Sequence, residues 1–187
     1  MRGHEHIGGW TPGGNPGSIC PAVWEELVRI HRVRSMVDVG CGQGWSMLWF
    51  KQRRIKVLGV EGDPEAVKSS PVKAFVHRHD YTSGPFRIRP MRDLCWCAEF
   101  VEHVEERFIS NFAETFRCCR VVALTHALPG QGGHHHVNER DDGYWQRILS
   151  QHGLRYEEGE SIILRRLADH GSYAARSLMV FINEDLS

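Results

Sequence analysis

The stretch VDVGCGQG, residues 37–44, constrains the fold most, because an apolar strand runs directly into three glycines at alternate positions. Glycine adopts positive φ without penalty and lets a ligand approach the main chain closely. The apolar, helix-compatible segment that follows would point its N-terminus at the same loop. This order predicts a ligand site at the carboxyl edge of a parallel sheet, where open α/β folds bind their ligands.

The glycine spacing argues against two common nucleotide loops. Counting from Gly40, a dinucleotide fingerprint needs glycine at the sixth position, which here is Trp45. The loop also lacks the Lys-Ser/Thr pair of triphosphate-binding loops. NAD and nucleoside triphosphates are therefore disfavoured, and a different nucleoside-bearing ligand is expected.

Several short apolar segments predict the sheet. Five of them alternate with turns or helix-compatible sequence: SMVDVG, IKVLGVEG, KAFVHRHDY, RDLCWCAEF and RVVALTHA. Such alternation predicts parallel strands with crossover helices. The tail adds two predicted strands, LRYEEGES and SLMVFINE, around a short helix, IILRRLADHG. The short connection requires the last strand to pair antiparallel at or near the sheet edge. The predicted fold is α/β: a Rossmann-like, doubly wound, mostly parallel seven-stranded sheet with an antiparallel last strand.

Three longer helices are also predicted. PAVWEELVRIHR is amphipathic and begins with Pro21, which suits a first helical turn. DDGYWQRILSQHG has an acidic first turn and Gly153 just past its end. Apolar residues at a spacing of four predict a third helix, and its stripe would be Val104, Phe108, Phe112 and Phe116.

Length and composition predict a single domain, 1–187, with residues 1–20 as a flexible, Gly- and Pro-rich arm or lid. Lys and Arg total 23, as do Asp and Glu, so nothing indicates broad attraction to nucleic acid, and a small-molecule substrate is expected. No apolar run approaches the roughly 20 residues of a membrane span, and no signal-peptide core is visible. A cytoplasmic protein with six reduced cysteines is predicted. The oligomeric state is not predicted.

The stretch VDVGCGQG resembles motif I of class I S-adenosylmethionine-dependent methyltransferases. In that family an acidic residue ending the second strand binds the ribose hydroxyls, and an Asp after the third strand contacts adenine. VLGVEGDP and HRHDYT supply such residues, and two carboxylates suit two hydroxyls and an amine. The resemblance implies S-adenosylmethionine as cofactor. The residues assigned to it are Asp38, Gly40, Gly42, Gly44, Glu61, Asp80, Tyr81 and Glu99.

The segment CAEFVEHVEERF places Glu99, Glu102 and His103 at i, i+3 and i+4, so one helical turn gathers them on one side. It resembles the E-x-x-E-H of small-molecule O-methyltransferases such as those of ubiquinone biosynthesis. It is also similar to that of the metal-dependent enzymes that methylate the 3′-terminal ribose of small RNAs. In the latter, a histidine after the fifth strand completes a divalent-metal site. Here THALPGQGGHHHVNE offers His126 and the histidines 134–136.

Three interpretations of this cluster remain open. A divalent ion such as Mg²⁺ or Mn²⁺ could bind a set drawn from Glu99, Glu102, His103, His135 and His136, and lower the pKa of a substrate hydroxyl. A histidine, from His103, His135 and His136, could instead be the catalytic base. Finally, Glu99 could merely order the cofactor pocket, with the triplet 134–136 on a solvated loop.

The acceptor is predicted to be oxygen. The chain has no Asp/Asn-Pro-Pro-Tyr/Phe after the fourth strand, which disfavours methylation of the exocyclic amines of DNA bases. The predicted function is O-methylation of a small-molecule or sugar-like hydroxyl. The alternatives are a metal-dependent ribose 2′-O-methyltransferase acting on RNA and a cofactor-binding module without chemistry. The N-terminal arm and LPGQGG are the predicted lid.

Overall fold

The structure is a computed structural model that describes residues 6–186. One seven-stranded sheet has the order β3-β2-β1-β4-β5-β7-β6. Its strands are β1 Ser35–Val39, β2 Lys56–Glu61, β3 Val76–Arg78, β4 Arg92–Cys97, β5 Cys119–Leu124, β6 Leu154–Tyr156 and β7 Met179–Asn183. The first five pair in parallel, and β7 pairs antiparallel with both β5 and β6. The predicted fold class is confirmed, with β7 one strand in from the edge.

Seven α-helices are described around this sheet. They are α1 Pro21–His31, α2 Trp45–Gln52, α3 Pro64–Ser69, α4 Ile109–Phe116, α5 Asp142–Ser150, α6 Glu158–Leu167 and α7 Tyr173–Ser177. Side-chain caps start three of them, because Asp63 accepts from the backbone of α3, Asp141 from that of α5 and Ser172 from that of α7. Gly153 follows α5 in a left-handed conformation, as predicted.

The core lies in two layers, one on each face of the sheet. Side chains alternate along β4: Cys95 and Cys97 pack with α4 and α5, whereas Leu94 and Trp96 pack with α1 and α2. Because the central strands are covered on both faces, their carboxyl ends are left as the edge where loops can form a site. All six cysteines are free.

Two predicted elements have different boundaries. The stripe of Val104, Phe108, Phe112 and Phe116 was wrong in its first half, because Val104 is extended and the α-helix starts only at Ile109. The predicted strand LRYEEGES ends at Tyr156, and the second half of this segment forms the first turn of α6. Acidic residues in the first turn of α6 favour helix there because they interact with the helix dipole.

Residues 6–20 contain one short 3₁₀ turn, Pro16–Ser18, and otherwise no regular secondary structure. Residues 1–5 of the predicted arm lie outside the described residues. Within 6–186, no helix combines the length and the apolar character that crossing a bilayer requires.

Candidate active site

A cavity of about 370 Å³ lies at the carboxyl edge of the sheet. Its floor comes from the ends of β1, β2 and β4 and the loops that follow them, and its cover comes from the arm and residues 131–134. All of the predicted cofactor residues except Gly44 line it. Parallel strands deliver their C-terminal loops to one edge, which explains why these separate segments meet.

The three motif glycines have different physical roles. A Cβ at Gly40 would lie 2.5 Å from the Phe100 ring, and one at Gly44 would lie 2.7 Å from Val72, so both positions serve packing. At Gly42 a Cβ would meet, among residues 6–186, only Trp10, at 3.6 Å, within the cavity. All three have positive φ. Gly42 is therefore the glycine that leaves room for a ligand.

The Glu61 carboxylate is held by the loop. Its oxygens accept hydrogen bonds from the backbone N–H of Gly42 at 2.7 Å and of Asp63 at 2.8 Å. Burial raises the pKa of Glu61, and these bonds act against the rise. The acidic side chain at the end of β2 is thus fixed in direction.

Asp38 is buried beside the same loop and accepts a hydrogen bond from the Ser46 hydroxyl. Burial raises the pKa of Asp38 to about 7; the Ser46 bond opposes the rise, and the Glu61 charge adds to it. A buried carboxyl with such a pKa is poised to ionise when a cation binds next to it.

Asp80 and Tyr81 lie at the end of the cavity beyond β3. Asp80 pairs with the His6 imidazole at 2.9 Å and accepts from the Thr82 backbone N–H at 2.8 Å. Although burial acts to raise it, these hydrogen bonds lower the pKa of Asp80. The Tyr81 ring packs edge-on against Phe100, and burial raises the pKa of its phenol well above the usual range.

The arm crosses the cavity from one end to the other. From His6, at Asp80, it continues to Trp10, whose indole N–H donates to Asp63 at 3.0 Å. A Cβ added to Gly9 would lie 3.2 Å from the His103 ring, so the arm covers that imidazole. At the far end the Asn15 amide donates to the Tyr173 hydroxyl at 2.9 Å.

Glu102, His103 and His136 form a compact ligand set within residues 6–186, with one potential ligand atom from each and all three within 4.8 Å of one another. Glu102 and His103 belong to a 3₁₀ turn, 101–103, directly after β4. His136 comes from the segment after β5, and its ring meets that of His103 edge-on at 4.8 Å.

Several polar atoms of this set lack partners among the described residues. Glu102 is fully buried, yet neither carboxylate oxygen accepts a hydrogen bond of good geometry, and Nδ1 of His103 is also buried and unpartnered. Burial and the Glu99 charge raise the pKa of Glu102 well above its usual value, and the nearby backbone N–H groups of Glu102 and Ala127 only partly oppose the rise. Burial, then His136, lowers the pKa of His103 to about 4. Orphaned buried acceptors of this kind are what a bound cation satisfies.

The other predicted cluster residues lie elsewhere. Glu99 has a left-handed backbone (φ 50), and its carboxylate accepts from the Thr125 hydroxyl at 2.8 Å and the Gln131 amide at 3.2 Å. His135 also has positive φ (49) and lies outside the compact set, and His134 lines the cavity beside the arm. His126 is buried and pairs with Asp142 at 3.0 Å.

Three polar residues near the site were not singled out from the sequence. Thr125 and Gln131 hold the Glu99 carboxylate, and Glu139 accepts from Nδ1 of His136 at 2.9 Å. For Glu139 a signal exists, since it follows His136 by three residues in HHHVNE. Thr125 and Gln131 carry no such signal, because their partner lies more than 20 residues away in the chain.

Comparison with known proteins gives one family match and a shared fold. A family described as "Methyltransferase domain" matches residues 37–122. The sugar N-methyltransferase KedS8 from a Streptoalloteichus species superposes with a TM-score of 0.68 at 15% identity, covering 88% of this chain and 87% of that one. The methyltransferase domain of bacterial CtHen1 gives 0.58 at 13%, covering 87% and 96%. DhpI, solved with S-adenosylhomocysteine, gives 0.58 at 13%, covering 86% and 81%. No curated protein sequence matches the chain.

Sheet order, cavity and glycine loop define a Rossmann-like fold with a cavity at the carboxyl edge of the strands, where such folds bind their ligands. The family match over residues 37–122, on a fold shared with known methyltransferases, indicates an S-adenosylmethionine-dependent methyltransferase.

Proposed function

We propose that the enzyme methylates a hydroxyl group of a small molecule or sugar-like substrate, with a divalent cation held by Glu102, His103 and His136. The single observation that carries this proposal is the fully buried Glu102 carboxylate, which lies beside two imidazoles and has no side-chain donor among the described residues, only nearby backbone N–H groups outside good hydrogen-bond geometry. An uncompensated buried carboxylate is costly, so the arrangement calls for a positive partner.

The donor set fits a divalent cation. One carboxylate and two imidazoles are ligands that Mn²⁺, Fe²⁺, Co²⁺ and Zn²⁺ accept, and three protein ligands leave positions open for substrate oxygens. Nδ1 of His136 is engaged by Glu139, so Nε2 is the nitrogen left to bind. When bound, such an ion lowers the pKa of a hydroxyl that it ligates.

The cofactor supplies an electrophilic methyl group on sulfonium sulfur. In the proposal, Glu61 accepts from the ribose hydroxyls, Asp80 accepts from the adenine amine, and Asp38 faces the ammonium of the methionine end. Gly42 lets the cofactor lie against the loop backbone. Each carboxylate lines the same cavity, which supports one extended ligand.

The arm and the segment 131–134 shield the transfer site in this proposal. Residues 8–10 and 131–134 cover the cavity and exclude water from the transfer site. The acceptor hydroxyl, positioned near His103, would be made acidic by the cation and release its proton to the solvent, and its oxygen then bonds to the methyl carbon. The carbon–sulfur bond breaks with its electron pair retained by sulfur. Alignment of oxygen, carbon and sulfur is the main catalytic requirement.

A labelled-methyl transfer assay tests the proposal. The acceptors are hydroxylated sugars, catechols, an amino sugar and an RNA 3′ end, each with Mn²⁺, with Mg²⁺ or with a chelator. Methylation of a hydroxyl acceptor that stops with chelator and resumes with metal is expected. Transfer to the amino sugar alone, or full activity in chelator, contradicts the proposal. Activity confined to RNA, with steep salt dependence, supports the ribose alternative instead.

A further inference from the structure

Glu139 is a hydrogen-bonding centre that lies next to the proposed cation site without belonging to it. Its carboxylate accepts from Nδ1 of His136 at 2.9 Å and from the backbone N–H groups of Gly130 at 2.8 Å and Gly132 at 2.6 Å. The contacts therefore join one imidazole of the ligand set to the glycine-rich segment that covers the cavity.

We propose that Glu139 is a positioning residue that fixes the tautomer and orientation of His136 and anchors the segment 130–133 over the site. The inference rests on the proposed function, since it concerns a ligand of the proposed cation. Glu139 itself touches neither the cation nor the substrate in this proposal.

The tautomer follows from the acceptor chemistry of the carboxylate. An ionised carboxylate only accepts hydrogen bonds, so Nδ1 of His136 must carry the proton that it shares with Glu139. In a neutral imidazole the lone pair is then on Nε2, which leaves that nitrogen free to bind a cation. Carboxylates that hold metal-binding histidines in this way raise ligand basicity and fix the ring.

The backbone of the segment is shaped to meet the same carboxylate. Gly130 and Gly132 have φ values of 83° and 69°, conformations that other residues adopt only with strain, and their N–H groups converge on Glu139. A Cβ at Gly133 would collide with the His136 imidazole. The glycines thus allow the segment to wrap closely around the ring and its carboxylate.

Gln131 extends the connection to the cofactor side of the cavity. It lies between the two anchored glycines, and its amide donates to the Glu99 carboxylate at 3.2 Å. Anchoring by Glu139 therefore holds the segment in contact with Glu99 while it holds His136 toward Glu102 and His103. Loss of Glu139 should disturb the His136 imidazole more than the contact between Gln131 and Glu99, because Glu139 bonds to the imidazole directly.

The first experiment uses the unmodified, metal-free protein. Nitrogen-15 NMR of the imidazoles, with His136 assigned by its loss in H136N, should report a protonated Nδ1 and an unprotonated Nε2 at pH 8. This readout needs no cation and no variant of Glu139. The opposite tautomer, or rapid exchange between the two, overturns the inference whatever the function of the site.

The second experiment is a double-mutant cycle on Mn²⁺ affinity, measured by calorimetry with E139A, H136A and the double variant. Carboxylates that hydrogen-bond to metal-binding histidines contribute about 10- to 100-fold to metal affinity, so E139A should lose that much and E139Q less. In the H136A background, E139A should cause no further loss, because both changes act through one ligand.

The matched control is E26A, which removes a carboxylate on α1. Both of its hydrogen bonds within residues 6–186 come from Arg29, on the same helix. Wild-type affinity is expected for E26A. Wild-type affinity in E139A, or additive losses in the cycle, overturns the role of Glu139 while the cation site stands. If H136A itself leaves Mn²⁺ affinity unchanged, the proposed cation site fails, and the NMR tautomer alone then decides for or against the hydrogen-bond role of Glu139.

Discussion

The indole N–H of Trp10 donates a hydrogen bond to the Asp63 carboxylate at 3.0 Å, which fastens the arm to the segment after β2. Asp63 also caps α3 and follows Glu61, so the contact links the arm to the part of the cavity assigned to the ribose. The arm therefore closes the cofactor cavity through specific side-chain contacts.

Weakening this contact should lower cofactor affinity. Trp10→Phe keeps an aromatic ring but removes the donor, and a net hydrogen-bond contribution of about 0.5–1.5 kcal/mol corresponds to a loss of about two- to tenfold. Trp10→Ala should lose more, because the ring that covers the loop is gone. Calorimetry with S-adenosylhomocysteine measures both. Tighter binding in either variant would mean that the arm competes with the cofactor.

Gly42→Val should abolish cofactor binding in a protein that still folds. The side chain would project into the cavity, where only Trp10 lies within 4 Å of the added Cβ. Gly171→Val is the matched control: its φ is also positive, at 88°, its Cβ would meet nothing within 4 Å, and it lies outside the cavity lining. Strain of at least about 1–2 kcal/mol should reduce both melting temperatures. Equal cofactor affinity in the two variants would refute the pocket.

Cofactor affinity should weaken as the pH falls through about 7, because Asp38 must give up a proton when the cofactor's ammonium binds beside it. Its raised pKa means that the cofactor-free protein holds this proton below pH 7, so binding there releases it. The affinity should change by up to about tenfold per pH unit below 7 and level off above. By the same linkage, the cofactor-free protein should lose stability as the pH rises from about 4 to about 7.

Calorimetry in buffers of different ionisation enthalpy counts the released protons. Asp38→Asn is the control, because it cannot ionise but keeps a similar shape. A pH dependence of equal steepness in this variant would assign the proton to another group.

Glu102→Gln should remove cation binding and leave cofactor binding intact. Glutamine has nearly the volume of glutamate but no charge, so the core around this position is preserved while the cation loses its carboxylate ligand. In thermal melts, Mn²⁺ should raise the melting temperature of the wild type and not that of the variant. An equal Mn²⁺-dependent rise in both proteins would exclude Glu102 as a ligand.

His136→Ala should lose metal-dependent activity, whereas His135→Ala should retain it. The two residues are adjacent, yet only His136 belongs to the compact set with Glu102 and His103. The expected loss for His136→Ala is at least about 100-fold, since it removes one of three protein ligands. A comparable loss in His135→Ala would mean that the triplet rearranges when the cation binds.

The sequence alone was enough to predict the α/β fold class with its mostly parallel sheet, the glycine loop and the position of Glu61 at the end of β2. These features depend on local signals: hydrophobic runs, glycine spacing and the acidic residue that follows an apolar strand. The spacing of Glu99, Glu102 and His103 predicted that one helical turn gathers all three. The 3₁₀ turn 101–103 contains Glu102 and His103, but Glu99 precedes it with a left-handed backbone and lies outside the compact set.

Tertiary structure decided the rest, because the deciding contacts join segments far apart in the chain. It separated Gly42, which leaves room for a ligand, from Gly40 and Gly44, whose missing side chains make room for Phe100 and Val72. It brought His136, rather than His135, to Glu102 across 34 residues, since the left-handed turn at His135 and the Glu139 carboxylate set the direction of the next imidazole. Spacing within HHH carries no such information, because the direction of each ring depends on backbone dihedral angles and on partners that only the folded chain supplies.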